Sequence, residues 1–414
     1  MRRVRPQAPR VSAPGLRQPG HRVRSIWTPK NGYIVVTNKR LRIVTLPGDG
    51  IGREIVPPAV HLLGVVEAAL GGFKLEFEDR PDMGALYFKE SGRDISPEAF
   101  EAARQADAIL MGAMGWPAVR HADGTEISPH LRLREEFQLY AGVRPIKAFP
   151  NTPRRLLDER AASIDMVILR ESTEGLFYTH GKGEVIDDRE ARETLRITRA
   201  TTEKLCDTAF RIARGRKRRD PSKGRVTCVD KANVFRAFAF FRKIFDERRA
   251  LFPDIRADHS YVDAQALDLI RRPWDFDVLV MENMFGDILS DLGGGLVGGM
   301  GLAPCAELGD EHGLFQPAHG SAPDITGQDK ANPTATILSA AMMLDWLGER
   351  HGIDALCEGA ALLQDAVEEG FATRALRPME FGGDQGLKAA VKATADLLGA
   401  KLAARRPARA PVLG

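Results

Sequence analysis

The chain has 414 residues, of which 43% are apolar and 28% charged; this length is typical of two or three globular domains. The formal net charge is only +3, but residues 1–40 and 401–414 hold 14 of the 59 basic residues and no acidic one, so that residues 41–400 carry 45 basic against 56 acidic side chains. An acidic body excludes nucleic acid as the main partner, because such binding depends on the neutralisation of phosphates. No segment approaches the roughly 20 consecutive apolar residues of a membrane-spanning helix.

The composition of the two ends predicts disorder, and the use of cysteine predicts the cellular compartment. Residues 1–40 are rich in Arg and Pro, and we expect a disordered basic extension there and a basic tail over residues 401–414. The cysteines are few, widely spaced and without a C-x-x-C pair: Cys206, Cys228, Cys305 and Cys357. This usage is typical of a reducing compartment, and we expect a soluble, cytoplasmic protein with no membrane partner.

The predicted elements begin near residue 41, where the run LRIVTL indicates a strand. The turn PGDGIG and a helical stretch over residues 53–72 follow it. Further strand-length apolar runs are DAILMGA, IDMVILR, RVTCVDKANV and FDVLVMEN, with helical stretches between them, and the last hundred residues are mostly helical. Alternation of this kind predicts an α/β fold. The glycines of the turn are spaced G-x-G-x-G, which favours a tight strand-to-helix turn over a dinucleotide fingerprint, and Asp49 between them would repel a pyrophosphate.

Acidic and basic side chains near predicted strand ends are the candidates for chemistry. Asp287 and Asp291 are four residues apart, so they share one face of a helix and can bind one divalent cation. Asp263, in HSYVDAQAL, is a candidate third ligand. Lys231, in VDKANV, follows another strand and can act as a general base if it is partly buried beside a metal.

Three arginines form the second candidate group. Arg134 and Arg144 lie in LRLREEFQLYAGVRP, and Arg170 ends an apolar strand. A guanidinium group binds a carboxylate through two parallel hydrogen bonds. Together with a metal site, these arginines predict a substrate with several carboxylates.

Taken as a set, these segments are recognisable. LPGDGIG, LRLREEFQLYAGVRP, LRESTEG, VDKANV, YVDAQAL, MFGDILSDL and HGSAPDITGQDKANPTA resemble the metal-dependent decarboxylating 2-hydroxyacid dehydrogenases, the isocitrate/isopropylmalate dehydrogenase family. The resemblance extends from about residue 41 to about residue 400. In its motifs the chain is most similar to the isopropylmalate and tartrate dehydrogenases.

The resemblance implies a two-domain α/β fold that is not a Rossmann fold. Residues 41–139 and 298–400 would form the first domain with the cofactor loop, and residues 140–297 an inserted second domain with the dimer interface. It also implies a homodimer with shared active sites. Arg134, Arg144 and Arg170 would bind the malate part of a small di- or tricarboxylic hydroxy acid. Lys231 and Asp263 would come from the partner subunit, and Asp287 and Asp291 would hold Mg²⁺ or Mn²⁺ in the home subunit.

The cofactor loop is implied in the same way. The matching residues are His319, Gly320, Ser321, Ala322, Asp324, Ile325 and Asn332. A carboxylate at Asp324 suits the ribose hydroxyls of NAD and repels the 2′-phosphate of NADP. Ile325 supplies no charge that would compensate, and we therefore expect NAD.

Two positions depart from the family pattern. The family's tyrosine acid falls on Phe177, and a tyrosine stands one place later, Tyr178. Because successive side chains on a strand point to opposite faces, Tyr178 can replace the family acid only if the backbone there is irregular. Gln316 stands where several members carry Glu.

The substrate is predicted from the segment before Arg134. Ile127 and Leu131 suit an isopropyl group, whereas Ser128 and His130 can hydrogen-bond a hydroxyl or a carboxylate. We favour a 3-isopropylmalate-like substrate, with NAD- and metal-dependent oxidative decarboxylation. The alternatives within the family are tartrate/malate, isocitrate and homoisocitrate. Phe177 and Gln316 motivate an alternative of another class, a non-catalytic regulatory subunit.

Overall fold

A single large sheet organises the part of the chain that the computed structural model describes, residues 39–405. Its ten strands, with a separate hairpin of β6 and β7, are β1 (Lys39–Gly48), β2 (Phe73–Asp79), β3 (Ala108–Ala113), β4 (Ala141–Lys147), β5 (Asp165–Glu171), β6 (Glu184–Ile186), β7 (Glu190–Arg192), β8 (Arg225–Asp230), β9 (Arg256–Tyr261), β10 (Val278–Met281), β11 (Pro304–Leu308) and β12 (Gly313–Pro317). The order across the sheet is β2-β1-β3-β12-β11-β4-β5-β10-β8-β9.

The sheet consists of two sets of parallel strands, here called blocks, with two antiparallel strands between them. Strands β2, β1, β3 and β12 run parallel to one another, as do β5, β10, β8 and β9. Between the blocks, β11 and β4 are each antiparallel to both neighbours. This mixed order differs from a Rossmann sheet and confirms the predicted α/β class.

Helices cover both faces of the sheet. They are α1 (Gly52–Leu70), α2 (Ala85–Ser91), α3 (Pro97–Gln105), α4 (Pro129–Glu136), α5 (Arg199–Arg219), α6 (Arg236–Arg249), α7 (Val262–Arg271), α8 (Asn283–Leu296), α9 (Thr334–His351), α10 (Asp354–Ala372) and α11 (Leu387–Arg405). The largest apolar cluster joins strands of both blocks to α1, α5, α9, α10 and α11. No helix of residues 39–405 is long and apolar enough to cross a bilayer.

The element bounds refine the predicted organisation. The chain passes from the first block to the second at β4 and returns after α8; the division into two domains at these points stays a prediction. The first strand begins at Lys39, and most of the predicted basic extension lies outside the described residues. The last helix continues to Arg405, so the first five residues of the predicted basic tail are helical, and the rest of that tail lies outside the described residues.

Tight packing fixes the turn after β1, as the glycine spacing predicted. Gly50 has φ of +52°, and the backbone N–H of Ile51 donates to the carbonyl of Ser321 over 2.9 Å. Asp49 is fully buried, and its carboxylate accepts hydrogen bonds from the backbone N–H groups of Ala85, Leu86 and Gly115. Its role is therefore to anchor α2 and the end of β3.

Candidate active site

The three predicted arginines converge at the centre of the sheet. Arg134 lies in the last turn of α4, Arg144 in β4 and Arg170 near the end of β5. All three are at most 5% exposed. Buried guanidinium groups remain charged and require carboxylate partners or a ligand, so this cluster is a site that attracts anions.

Strand register explains how side chains from three strands meet there. Gly142 in β4 pairs with Arg170 in β5 on one side and with Glu307 in β11 on the other. Residues directly opposite one another project from the same face of a sheet, as does Arg144 two positions along β4. A Cβ atom at Gly142 would lie 2.9 Å from Glu307 Oε2. The missing side chain at Gly142 therefore gives the Glu307 carboxylate its space.

Glu307 was not predicted as a site residue. It is fully buried, and its Oε1 lies 2.8 Å from Arg134 Nη2 and 4.0 Å from Arg144 Nη2. Burial alone would raise the pKa of Glu307, but Arg134, Arg144 and Arg170 lower it below its usual value. The only sequence signal was an acidic residue within an otherwise apolar strand, PCAEL.

Helix α8 brings the predicted metal ligands to the same place. Asp287 pairs with Arg170 and lies 3.9 Å from Arg144 Nη2, and Asp291 lies 3.6 Å from Arg144 Nη1. Both carboxylates remain about half exposed. Burial raises the pKa of Asp291, and the neighbouring Asp287 acts in the same direction. Two adjacent carboxylates whose negative charges repel one another are suited to a cation.

Two further α8 side chains, also not predicted from the sequence, hold the arginines in place. Asn283 Oδ1 accepts from Arg170 Nε over 2.8 Å, and Ser290 Oγ accepts from Arg144 Nη1 over 3.0 Å. The buried Nε–H groups of Arg134 and Arg144 have no hydrogen-bond partner among the described residues. These two donors are therefore unsatisfied in the described part of the structure.

Lys231 and Asp263 form a separate pair. Lys231 Nζ lies 2.6 Å from Asp263 Oδ1, and the pairing lowers the pKa of Asp263. Within residues 39–405, neither makes an ion pair with the arginine cluster, and no group of three possible metal-ligating side chains is found. The three-carboxylate site of Asp263, Asp287 and Asp291 is therefore not assembled within one chain.

The segment after β5 borders a cleft that is open to solvent. Residues Leu176–Thr179 form a short 3-10 helix, so Phe177 and Tyr178 both line the cleft instead of pointing to opposite faces. The Cζ atom of Arg170 lies 5.0 Å from the centre of the Phe177 ring. The Cζ atom of Arg196 lies 3.5 Å from the centre of the Tyr178 ring. The backbone irregularity that Tyr178 would need is thus present.

The segment predicted to contact the variable substituent is only partly in this cleft. Ser128 and Leu131 line it, and the Ser128 hydroxyl does not cap α4. Ile127 is 1% exposed and does not line it, and its contact with the substituent stays a prediction. His130 is half-buried, and burial together with the three arginines lowers its pKa to about 3. His130 is therefore neutral near pH 7.

The predicted cofactor loop packs on the turn between β1 and α1. Ser321 is buried and its hydroxyl donates to the carbonyl of Gly115, and Ala322 has φ of +41°. Asp324 and Gly320 are exposed, and Ile325 is half-buried. Burial lowers the pKa of His319, whose Nε2 has no hydrogen-bond partner among residues 39–405.

The base of this loop is held by a carboxylate from near the C-terminus. Asn332 Nδ2 donates to Glu380 Oε2 over 2.8 Å, and the amide oxygen of Asn332 accepts from the backbone N–H of Thr334 at the start of α9. Gln316 is 7% exposed, on β12.

Comparison with known proteins decides the family. The protein-family model described as "Isocitrate/isopropylmalate dehydrogenase" matches residues 42–395. The chain belongs to this family. The chain is 42% identical to a 3-isopropylmalate dehydrogenase of Moorella thermoacetica, over 74% of this chain and 85% of that protein. It is also 42% identical to a 3-isopropylmalate/3-methylmalate dehydrogenase of Methanocaldococcus jannaschii, over 83% and 94%.

Solved structures of the family share the fold. The isocitrate dehydrogenase of Methylococcus capsulatus superposes with a TM-score of 0.73 at 32% identity, over 86% of this chain and 99% of that one. A β-decarboxylating dehydrogenase of Thermococcus kodakarensis gives 0.70 at 34% identity, over 88% and 97%. The predicted family is confirmed, and its membership makes the protein an oxidoreductase of the decarboxylating hydroxyacid dehydrogenase type.

Proposed function

We propose that the protein catalyses NAD-dependent oxidative decarboxylation of 3-isopropylmalate or a close analogue, with Mg²⁺ or Mn²⁺. The observation that carries this proposal is the cluster of three buried arginines beside two half-exposed carboxylates on α8. The arginines would bind the carboxylates of the acid. Leu131 and Phe177 give the cleft an apolar wall that suits a branched alkyl substituent.

The side chains present fit a divalent cation. Asp287 and Asp291 offer carboxylate oxygens on adjacent helical turns, and oxygen ligands are those that Mg²⁺ and Mn²⁺ prefer. When bound there, the cation would supply positive charge that lowers the pKa of the substrate hydroxyl and stabilises the electrons released on loss of CO₂. Asp263 of a second subunit would complete the ligand set.

The cofactor loop fits NAD. His319, Gly320, Ser321, Ala322, Ile325 and Asn332 would hold the dinucleotide beside the β1–α1 turn. NAD bound there would accept the hydride from the hydroxyl-bearing carbon. The exposed Asp324 would bind the adenosine ribose hydroxyls and repel a 2′-phosphate.

The protein's own side chains would move the protons. The Lys231–Asp263 pair, 2.6 Å apart, would accept the hydroxyl proton directly or through a water. After CO₂ leaves, the carbon that carried it needs a proton, and Tyr178 is our candidate donor because it lines the cleft. Ser128 and the neutral His130 would hydrogen-bond the acid without adding charge.

A homodimer would bring these groups together. Large apolar side chains lie exposed on α7, on α8 and next to Lys231: Val234, Phe235, Leu267, Ile270 and Ile288 are all at least 47% exposed. Asp263 is in the first turn of α7, and Asp287 is adjacent to Ile288. We propose that a second copy of the chain covers this face and places its Lys231–Asp263 pair at the arginine cluster.

A panel of acids tests the function. Reduction of NAD is measured with Mn²⁺ and 3-isopropylmalate, malate, tartrate, isocitrate or homoisocitrate. We expect the highest kcat/KM with 3-isopropylmalate, and a higher value with another acid would move the assignment to that substrate. Absence of turnover on all five acids, with Mn²⁺ still bound, would favour the non-catalytic subunit.

A further inference from the structure

Glu307 has no part in the reaction proposed above, although it lies at the centre of the arginine cluster. Its ion pairs with Arg134 and Arg144 belong to a closed network. Within the described residues, the six members make ion pairs only with one another: Arg134, Arg144, Arg170, Asp287, Asp291 and Glu307.

The charges of this network cancel, because three guanidinium groups face three carboxylates. The Lys231–Asp263 pair contributes the same charge whichever acid is bound. A divalent cation between Asp287 and Asp291 would therefore leave a net charge of about +2, which balances an acid with two carboxylates. A third carboxylate would bring an uncompensated negative charge into a largely buried site, at a cost in binding. The cofactor contributes the same charge for either acid.

Hydrogen-bond donors lead to the same conclusion. Glu307 Oε1 lies 2.8 Å from Arg134 Nη2 and so engages this donor. The buried Nε–H groups of Arg134 and Arg144 remain without a partner among residues 39–405. Glu307 thus takes the place at Arg134 that a further substrate carboxylate would need. The neutral His130 adds no positive charge that could replace it.

We propose that Glu307 is a specificity-determining residue that favours hydroxy acids with two carboxylates over those with three. This inference rests on the proposed function for the location of the substrate and the cation. It depends on the Glu307 carboxylate being ionised and held between Arg134 and Arg144, and not on the nature of the alkyl substituent.

The test compares the unmodified protein with Glu307→Gln, which keeps the shape and removes the charge, and with Glu307→Asp, which keeps the charge. The kcat/KM values are measured for 3-isopropylmalate and isocitrate. We expect the isocitrate to isopropylmalate ratio to rise about tenfold in Glu307→Gln, as for the loss of one unit charge near the ligand, and to stay near that of the unmodified protein in Glu307→Asp. An unchanged ratio in Glu307→Gln overturns the proposal.

A binding measurement keeps the test independent of turnover and of the folding of the variants. Dissociation constants of tricarballylate and methylsuccinate, in the presence of Mn²⁺, are measured by calorimetry on the unmodified protein. Tighter binding of the dicarboxylate is expected from the charge balance of the site, and tighter binding of tricarballylate overturns the proposal. If malate gave the highest kcat/KM, the assignment of 3-isopropylmalate as the substrate would be contradicted. This inference would not, because both acids have two carboxylates.

Discussion

Gly286 in α8 offers a direct test of how the helix positions Arg170. A Cβ atom added there would lie 2.5 Å from Arg170 Cβ, 2.7 Å from its Cγ and 3.0 Å from its Cα. Carbon atoms pack at about 3.5–4.0 Å, so Gly286→Ala would separate α8 from β5 by about 1 Å. Such overpacking costs about 1–3 kcal/mol of stability, and a 1 Å misplacement of binding groups can lower kcat/KM about 100-fold.

The assay combines urea unfolding with steady-state kinetics. The control is Gly64→Ala in the interior of α1, where an added Cβ atom meets no other atom within 4 Å; replacing glycine in an exposed helix should raise the free energy of unfolding by about 0.5–1 kcal/mol. We expect kcat/KM to be unchanged in the control and strongly reduced in Gly286→Ala. A Gly286→Ala protein with normal stability and activity would refute the close packing of α8 on Arg170.

Three further predictions concern the proton donor, the cofactor and pH. Tyr178→Phe should lower steady-state turnover about 100-fold while a first-turnover burst of NADH persists; unchanged turnover would exclude Tyr178 as the donor. Asp324→Asn should lower the ratio of kcat/KM for NAD to that for NADP about tenfold or more, and a constant ratio would contradict the role of Asp324. The pKa of His130 is lowered to about 3 in the folded protein, so as pH falls below about 6.5 the unfolded chain binds a proton that the folded protein does not. The free energy of unfolding should therefore fall by about 1.4 kcal/mol per pH unit below that value. Between pH 7.5 and 5.5, urea unfolding should therefore show a smaller loss of stability for His130→Gln than for the unmodified protein, and equal losses would contradict a neutral imidazole at His130.

Local patterns in the sequence predicted much of the fold. LRIVTL lies within β1, and the spacing of Asp287 and Asp291 placed both on one helix, where they lie beside Arg144. The glycine turn was interpreted correctly as a tight strand-to-helix connection, because positive φ at Gly50 is a local requirement. Patterns of this kind arise between residues that are close in the sequence, so they can be predicted without knowledge of the fold.

The contacts that complete the site depend on strand register, and the sequence did not reveal them. Glu307 meets the arginines only because β11 pairs with β4 opposite Gly142. Ile127 was predicted to contact the substituent from its position before Arg134, and the sequence did not show that its side chain is buried. The 3-10 helix that turns Phe177 and Tyr178 into the same cleft is likewise a consequence of tertiary packing.

The stoichiometry of the reaction tests the proposed chemistry most directly. The protein is incubated with 3-isopropylmalate, NAD and Mn²⁺, and NADH and CO₂ are measured in the same sample. Oxidation followed by decarboxylation predicts equal amounts of the two products, and none of either after chelation of the metal. NADH without CO₂, or neither product in the presence of Mn²⁺, would contradict the assignment.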